Sequence, residues 1–285
     1  MKTVRLDFPQ WQGGNNPDYV FGSELLKAIV PVSLSIENIC VPVNTNFHIP
    51  LEMKDGIEGG KILKAQMEDV QRILESKNPD KIIVLGGDCS VSQVPFDFLS
   101  EKYGEKLGIL WLDAHPDVAT IETSTRNHEM VLNNLISGAG SYLAAMVKNP
   151  INKNRVMIAG LIYEELRKKD QNVNIKRIPF VTPAQLFDDS NDIIQWIEQE
   201  DIKYLAVHFD LDVLSPQDFR SIYPAEPHLA YFDAAIGKLN LKQIERIFGD
   251  VSKYSSIVGL TIAEHLPWDA LRFRKLLSNI TIFNE

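Results

Sequence analysis

The chain has 285 residues, 45% of them hydrophobic, enough to bury a sizeable core, and its length suits one domain over residues 1–285. A formal net charge of -9 argues against a nucleic-acid partner, because binding phosphates needs a basic patch to displace their counterions. The same balance suits a small cationic ligand, although a solvated acidic surface is the commoner cause.

The segment MKTVRLDF has no long apolar core, and no run approaches the roughly eighteen apolar residues that span a bilayer. A cytoplasmic protein with no membrane partner is therefore expected. Its two cysteines, Cys40 and Cys89, have no CxxC spacing and are expected to be reduced.

In chain order, VRLDF predicts a first strand, followed by the glycine-rich loop QGGNNPD (Gln12 to Asp18), which reads as a surface loop. The run ICVPV predicts a second strand. Leu63, Met67, Val70 and Leu74 then step by four, three and four, one face of a helix that packs on a sheet. Further strands are expected at KIIVLG, LGILWLD, RVMIAG, IPFV, KYLAVHFDLD and SSIVGLTIAE. Between them, Thr182-Pro183 reads as the start of a helix running through AQLFDDSNDIIQWIEQE. Helical spacing returns at Leu241, Ile244, Ile247 and Phe248, and in the tail at Leu271, Leu276, Leu277 and Ile280. Strands apolar throughout, such as Ile82 to Leu85 and Ile109 to Leu112, need cover on both faces. The expected fold is α/β, one mainly parallel sheet of roughly seven or eight strands between helices.

Ligands in such sheets bind beyond the carboxyl ends of the strands. Asp113, His115 and Asp117 follow GILWL at spacings of two, which sends them to one side while the backbone stays extended. Asp210 and Asp212 end KYLAVHF in the same way. Such aspartates ordinarily cap helices or turn loops. Two carboxylate clusters and a histidine at ends of one sheet point instead to a metal site, since so many carboxylates repel one another unless a cation neutralises them. A carboxylate-rich set favours manganese over zinc. Cys89, in VLGGDCS, reads as a metal ligand or a small turn residue, and less readily as a nucleophilic thiol. Glu264 closes the last strand and suits a cationic substrate or a helix cap; His128, in TRNHEMVL, reads alone as a solvated or capping histidine.

Together these residues resemble the ureohydrolase family of arginases, agmatinases and formiminoglutamases. That family carries, in this order, Gly-Gly-Asp-His-Ser, Asp-Ala-His-x-Asp, a loop histidine, Asp-x-Asp and a late glutamate. The match runs from about Leu85 to Glu264. The resemblance implies a three-layer α/β/α fold around an eight-stranded parallel sheet, a centre of one or two manganese ions, and hydrolysis of a C–N bond in a guanidino or formimino substrate through a metal-bound hydroxide. It further implies a homo-oligomer, a trimer or hexamer. Carried over by position, Asp113 and Asp210 would bridge two ions, His115 and Asp212 would complete one site, and Asp117 would serve the other. The family's remaining ligand is a histidine where this chain has Cys89. Asp117, His128 and Glu264 match the family's proton acceptor, proton-transferring histidine and guanidinium-binding carboxylate.

Three positions depart from the family pattern. Cys89 offers a softer donor, which favours zinc, iron or cobalt. Ser215 and Thr261 each stand where an aspartate is usual. These changes imply one firmly bound ion and a second held weakly or not at all, or a silent homologue that binds a ligand or acts as a scaffold without turnover. The related metal-dependent deacetylases are a more distant match, because DAHPD and FDLD follow the ureohydrolase spacing. Arg126 reads as an exposed loop arginine that could alternatively meet a substrate carboxylate.

Overall fold

The computed structural model describes residues 1–138, 140–279 and 282. In chain order these form β1 (Thr3–Phe8), α1 (Asp18–Ile29), β2 (Glu37–Cys40), β3 (Met53–Lys54), β4 (Ile57–Glu58), α2 (Gly60–Lys77), β5 (Lys81–Gly86) and α3 (Gln93–Tyr103). There follow β6 (Leu107–Leu112), α4 (Val131–Ser137), β7 (Val156–Ala159), α5 (Asn172–Lys176), β8 (Phe180–Val181), α6 (Asn191–Gln199), β9 (Tyr204–Asp210), α7 (Leu241–Tyr254), β10 (Ser256–Ala263) and α8 (Trp268–Ser278).

Eight strands form one sheet in the order β2-β1-β5-β10-β9-β6-β7-β8, and every pairing in it is parallel. All eight expected runs are in it. Successive strand residues feed opposite layers, as the pleat requires. From β6, Ile109 and Trp111 pack with Val70 and Leu74 of α2, Phe96 and Leu99 of α3 and Leu132 of α4. Leu110 and Leu112 pack on the other face with Ile193 and Ile197 of α6 and Ile244 and Ile247 of α7. The fold is thus a three-layer α/β/α sandwich, and the helical face of Leu63, Met67, Val70 and Leu74 is buried as its spacing predicts.

Several local expectations are corrected. The second strand ends at Cys40 rather than Val43, because Pro42 has no N–H for the ladder. Met53–Lys54 and Ile57–Glu58 form an unexpected antiparallel hairpin. Its turn residues, Asp55 (φ 49°) and Gly56 (φ 83°), both have positive φ, the conformation Asp-Gly pairs favour, so the signal was in the sequence. Thr182-Pro183 makes a single turn, in which Thr182 O accepts from Gln185 and Leu186 N–H, and does not begin a helix. Asp189 then takes the Asn191 N–H on its side chain, a local bond that competes with helix, and α6 starts only at Asn191. The tail helix α8 leaves Phe273 and Leu276 exposed at 59% and 55%, so its apolar spacing does not seat it on the sheet; Ile280 lies outside the described residues.

This packing sets a stability contrast. Leu63→Ala is expected to cost about 2–5 kcal/mol in urea unfolding, as fully buried leucines do, whereas Leu276→Ala should change stability by less than about 0.5 kcal/mol. Equal losses would show that α8 is covered in solution.

Candidate metal centre

The sheet order places β5, β10, β9 and β6 side by side. Their carboxyl ends carry, respectively, Cys89, Glu264, the pair Asp210 and Asp212, and the set Asp113, His115 and Asp117. Residues far apart in sequence therefore meet because four parallel strands end on one rim, as open α/β sheets place their ligands. All of these side chains are buried, from 0% exposure at Asp113 to 9% at His115.

After β5 the chain turns within Gly86-Gly87. A Cβ on Gly87 would lie 1.8 Å from the Gln10 carbonyl oxygen, so only glycine fits. Asp88 caps the short 3-10 helix Cys89–Ser92 by accepting from Ser90 N–H at 2.9 Å. It also accepts from Gly14 N–H at 3.1 Å, which brings the first loop against the site. The expected surface loop QGGNNPD is corrected in its first half: Gln12, Gly13 and Gly14 are buried, Asn15 and Asp18 stay exposed, and Gly14, Asn15, Asn16 and Asp18 line the cavity at the site.

The run after β6 is not extended, so its side chains converge for a different reason from the expected alternation. Asp113 Oδ1 accepts from the backbone N–H of His115 at 2.6 Å, folding the chain back on itself. Asp117 then takes a left-handed conformation, φ 47°, and its carbonyl accepts from the Leu132 N–H. Glu264 is likewise left-handed, φ 61°, and its N–H donates to Gly87 O at 2.7 Å. Two non-glycine residues held at positive φ in one site mark strain that the surrounding structure maintains. Asp210 Oδ1 accepts from Asp212 N–H at 2.8 Å, turning Asp212 back to the same centre.

The groups contact one another closely. His115 Nδ1 is 3.0 Å from Asp212 Oδ2 and 3.5 Å from Asp113 Oδ1. The Cys89 thiol donates to Asp210 Oδ2 at 2.9 Å and approaches Glu264 Oε1 at 3.4 Å. His128 Nδ1 is 2.9 Å from Glu264 Oε1, which brings the loop histidine into the site. Burial and then the charge of Asp212 push the Asp113 carboxyl up to about 7. Asp117 and Asp210 are raised well above the usual carboxylate range, by burial first and then by their acidic neighbours. Burial, reinforced by Asp210 and Glu264, likewise raises the Cys89 thiol, so without a cation it is neutral and not a reactive nucleophile. Burial alone would lower His115, but Asp212 and Asp113 outweigh it and raise it well above its ordinary value.

The donor set fits a divalent cation. Ligand atoms of Cys89, Asp113, Asp117 and His208 lie within 4.8 Å of one another, as do those of Asp113, His115 and Asp212 and those of Asp210, Asp212 and Glu264. Five buried atoms here, His115 Nε2, Asp117 Oδ2, Asp212 Oδ1, His128 Nε2 and His208 Nε2, have no hydrogen-bond partner among the described residues. Such atoms are costly unless an ion or water meets them. They line or adjoin a cavity of about 580 Å³ whose other wall carries Arg126, Arg167 and Lys169. Arg126 is exposed, as expected, and also lines this cavity.

Two site residues were not foreseen. Tyr19 of α1 is buried and has a hydroxyl held well above its usual range by burial and by the nearby Glu264 carboxylate; nothing in DYVFG signals this. His208 lies two residues before Asp210 on the same side of β9, a period-2 signal that was available. Of the departures, Thr261 is fully buried beside His208 in register, whereas Ser215 turns away and accepts from Gln217 N–H.

A family model described as Arginase family matches residues 34–227. The chain belongs to the arginase family. Among curated relatives, it is 26% identical to arginase 1, mitochondrial, of Oryza sativa subsp. indica over 208 residues, 72% of this chain and 56% of that protein. It is 25% identical to the arginase of Staphylococcus aureus (strain COL) over 142 residues, 47% of this chain and 46% of that one. The chain thus spans about half the length of the curated arginases it matches. Its fold is shared with Entamoeba histolytica arginase, solved in complex with L-ornithine, at TM-score 0.76 and 17% identity over 93% of this chain and 92% of that one. It is shared also with proclavaminate amidino hydrolase from Streptomyces clavuligerus, at TM-score 0.63 and 15% identity over 93% and 82%. Among the described residues of this arginase-family chain, no helix is long and apolar enough to cross a membrane, and Cys40 and Cys89 are both free.

The carboxyl shifts carry a sign. Asp113 moves from 3.8 to about 7, and Asp117 and Asp210 shift upward with it. The stability contributed by their protonated forms is full below the unfolded value and is lost as pH rises through the folded one. Protein stripped of divalent ions is therefore expected to melt at a lower temperature at pH 8 than at pH 5, and added manganese should reverse the trend, because ligands bind it deprotonated. A metal-free melting temperature that rises from pH 5 to 8 would contradict this electrostatic picture.

Proposed function

We propose that the chain is a metal-dependent hydrolase, a single domain that opens a C–N bond of a linear amidine or guanidino compound. The observation that carries this reading is the meeting of five buried carboxylates, His115, His128 and Cys89 on one rim, with unpartnered atoms facing a common space. Asp113, His115, Asp210 and Asp212 would hold one ion, and Asp113, Asp117 and Cys89 would hold a second. Manganese suits the half made of carboxylates and one imidazole. When bound, such ions act as Lewis acids and bring the pKa of water towards the neutral range.

The chain's own groups do the rest. A guanidinium is cationic at all working pH values, and the Glu264 carboxylate is placed to hold that charge. Asp117 has a free Oδ2 and accepts the proton of the attacking water. His128 is tied to Glu264 through Nδ1, leaving Nε2 to protonate the departing nitrogen. On the far wall Arg167 is paired with Asp170 and Lys169 with Glu129, and Arg126 is placed for a carboxylate at the substrate's other end. The L-ornithine bound by the Entamoeba relative has that polarity.

A second reading, a ligand-binding member without turnover, is favoured by one observation. Glu264 Oε1 is already engaged by His128 and approached by Cys89, so the cation-holding carboxylate has internal partners.

Manganese-loaded protein is expected to release urea, formamide or ammonia from at least one member of a panel of guanidino and formimino acids. His128→Asn should lower kcat by about 10²- to 10⁴-fold, the usual worth of a general acid. Ligand-dependent thermal stabilisation with no product from any compound would select the second reading.

A further inference from the structure

The imidazole that the Gly-Gly-Asp-His-Ser pattern expects at position 89 is absent from that loop, yet a different imidazole reaches within 4.8 Å of the Cys89 sulfur. His208 is fully buried in the interior of β9. Its register partners are Trp111 on β6 and Thr261 on β10, so it forms the floor directly beneath the rim. The ring stacks on Trp111 with centroids 3.7 Å apart and planes 15° from parallel, which fixes its plane. Nδ1 is 2.8 Å from Ser92 Oγ. Nε2 is buried and has no hydrogen-bond partner among the described residues. A ring nitrogen of His208 lies within 4.8 Å of Cys89, Asp113 and Asp117 ligand atoms.

We infer that His208 is a metal ligand, and that Cys89, His208, Asp113 and Asp117 form a zinc-type site in place of a second manganese position. The inference rests on the metal-centre reading above and deepens it by naming the donor set and the ion. Four atoms around one zinc at about 2.0–2.3 Å lie roughly 3.5 Å apart in tetrahedral geometry, so the observed cluster closes with small shifts. Thiolate and imidazole together are the donors zinc prefers over manganese. The outer arrangement has the form ligating histidines use: a partner on the far nitrogen fixes the tautomer and leaves the other lone pair for the ion. Ser92 is placed for this by the helix that carries Cys89. In a 3-10 helix, residues three apart eclipse, so Cys89 and Ser92 share one face.

Titration of the metal-free full chain with cobalt(II), a spectroscopic stand-in for zinc, tests this without requiring turnover. The unmodified chain should show a thiolate-to-cobalt charge-transfer band and the strong visible bands of a four-coordinate ion. Cys89→Ser should remove the first. His208→Ala and His208→Gln should weaken cobalt binding by more than the about 10- to 100-fold that an outer partner is worth, and should change the visible bands. Metal-free circular dichroism of the variants identifies any that fail to fold. For that case, X-ray absorption or anomalous diffraction on the unmodified zinc-loaded chain decides, with an Nε2–zinc distance of about 2.0–2.1 Å expected. No charge-transfer band, folded His208 variants with unchanged spectra, or a zinc lacking the His208 nitrogen would each overturn the inference. Cobalt bound as described with no amidine hydrolysed would leave it standing and remove only the proposed activity.

Discussion

The burial of like charges governs this molecule. Asp113, Asp117, Asp210, Asp212 and Glu264 all sit at less than a tenth of full exposure within one cluster. Removing carboxylates from water and setting them side by side disfavours their charged forms twice over. Only one of the four aspartates escapes this: Asp212 is lowered despite burial, because His115 faces it. Two imidazoles, His115 and His128, the second held beside Glu264, cannot neutralise the rest. The remaining choices are to hold protons, as Asp113 at about 7 does, or to hold a cation. The fold is committed to this arrangement, since the four strands that deliver the groups are the middle of the sheet.

Much of the surrounding structure follows from keeping that cluster closed. Asp117 and Glu264 adopt left-handed backbone conformations that cost of order 1–3 kcal/mol each. Both are fastened at once by backbone bonds, Asp117 O to Leu132 and Glu264 N–H to Gly87 O. The glycines serve the same purpose. Gly87 lets the Gln10 carbonyl come close, and a Cβ on Gly13 would lie 2.1 Å from Ser90 Oγ, so the first loop reaches the GGDCS turn only without side chains. Asp88 then links the two by taking N–H bonds from Gly14 and Ser90.

The sheet was legible in the sequence because its strands are covered on both faces and read as unbroken apolar runs. The rim was legible because polar metal-type residues end those runs. What stayed hidden was set by tertiary contact. Gln12 to Gly14 look like loop composition, and only the docking of that loop on Asp88 buries them. Tyr19 sits on a helix with nothing in its spacing to aim it at Glu264. Asp113, His115 and Asp117 were grouped correctly but by the wrong geometry, since a turn rather than an extended strand brings them together. The tail helix has apolar residues at helical spacing and still lies exposed, because periodicity states that a face exists and not what covers it.

The departures at positions 89 and 261 make physical sense as a pair once His208 is considered. An aspartate at 261, usual by resemblance, would stand next to His208 in register. Its charge would favour the imidazolium form, which has no lone pair to offer an ion. Threonine removes that charge, and burial alone then holds the imidazole neutral, with its pKa down to about 3. A thiolate at 89 would add one negative charge where a neutral imidazole would add none, and the threonine at 261, beside His208 in register, removes one. On the proposed reading the two changes would leave the charge facing the ions nearly even, with the soft donor after β5 and the imidazole on β9.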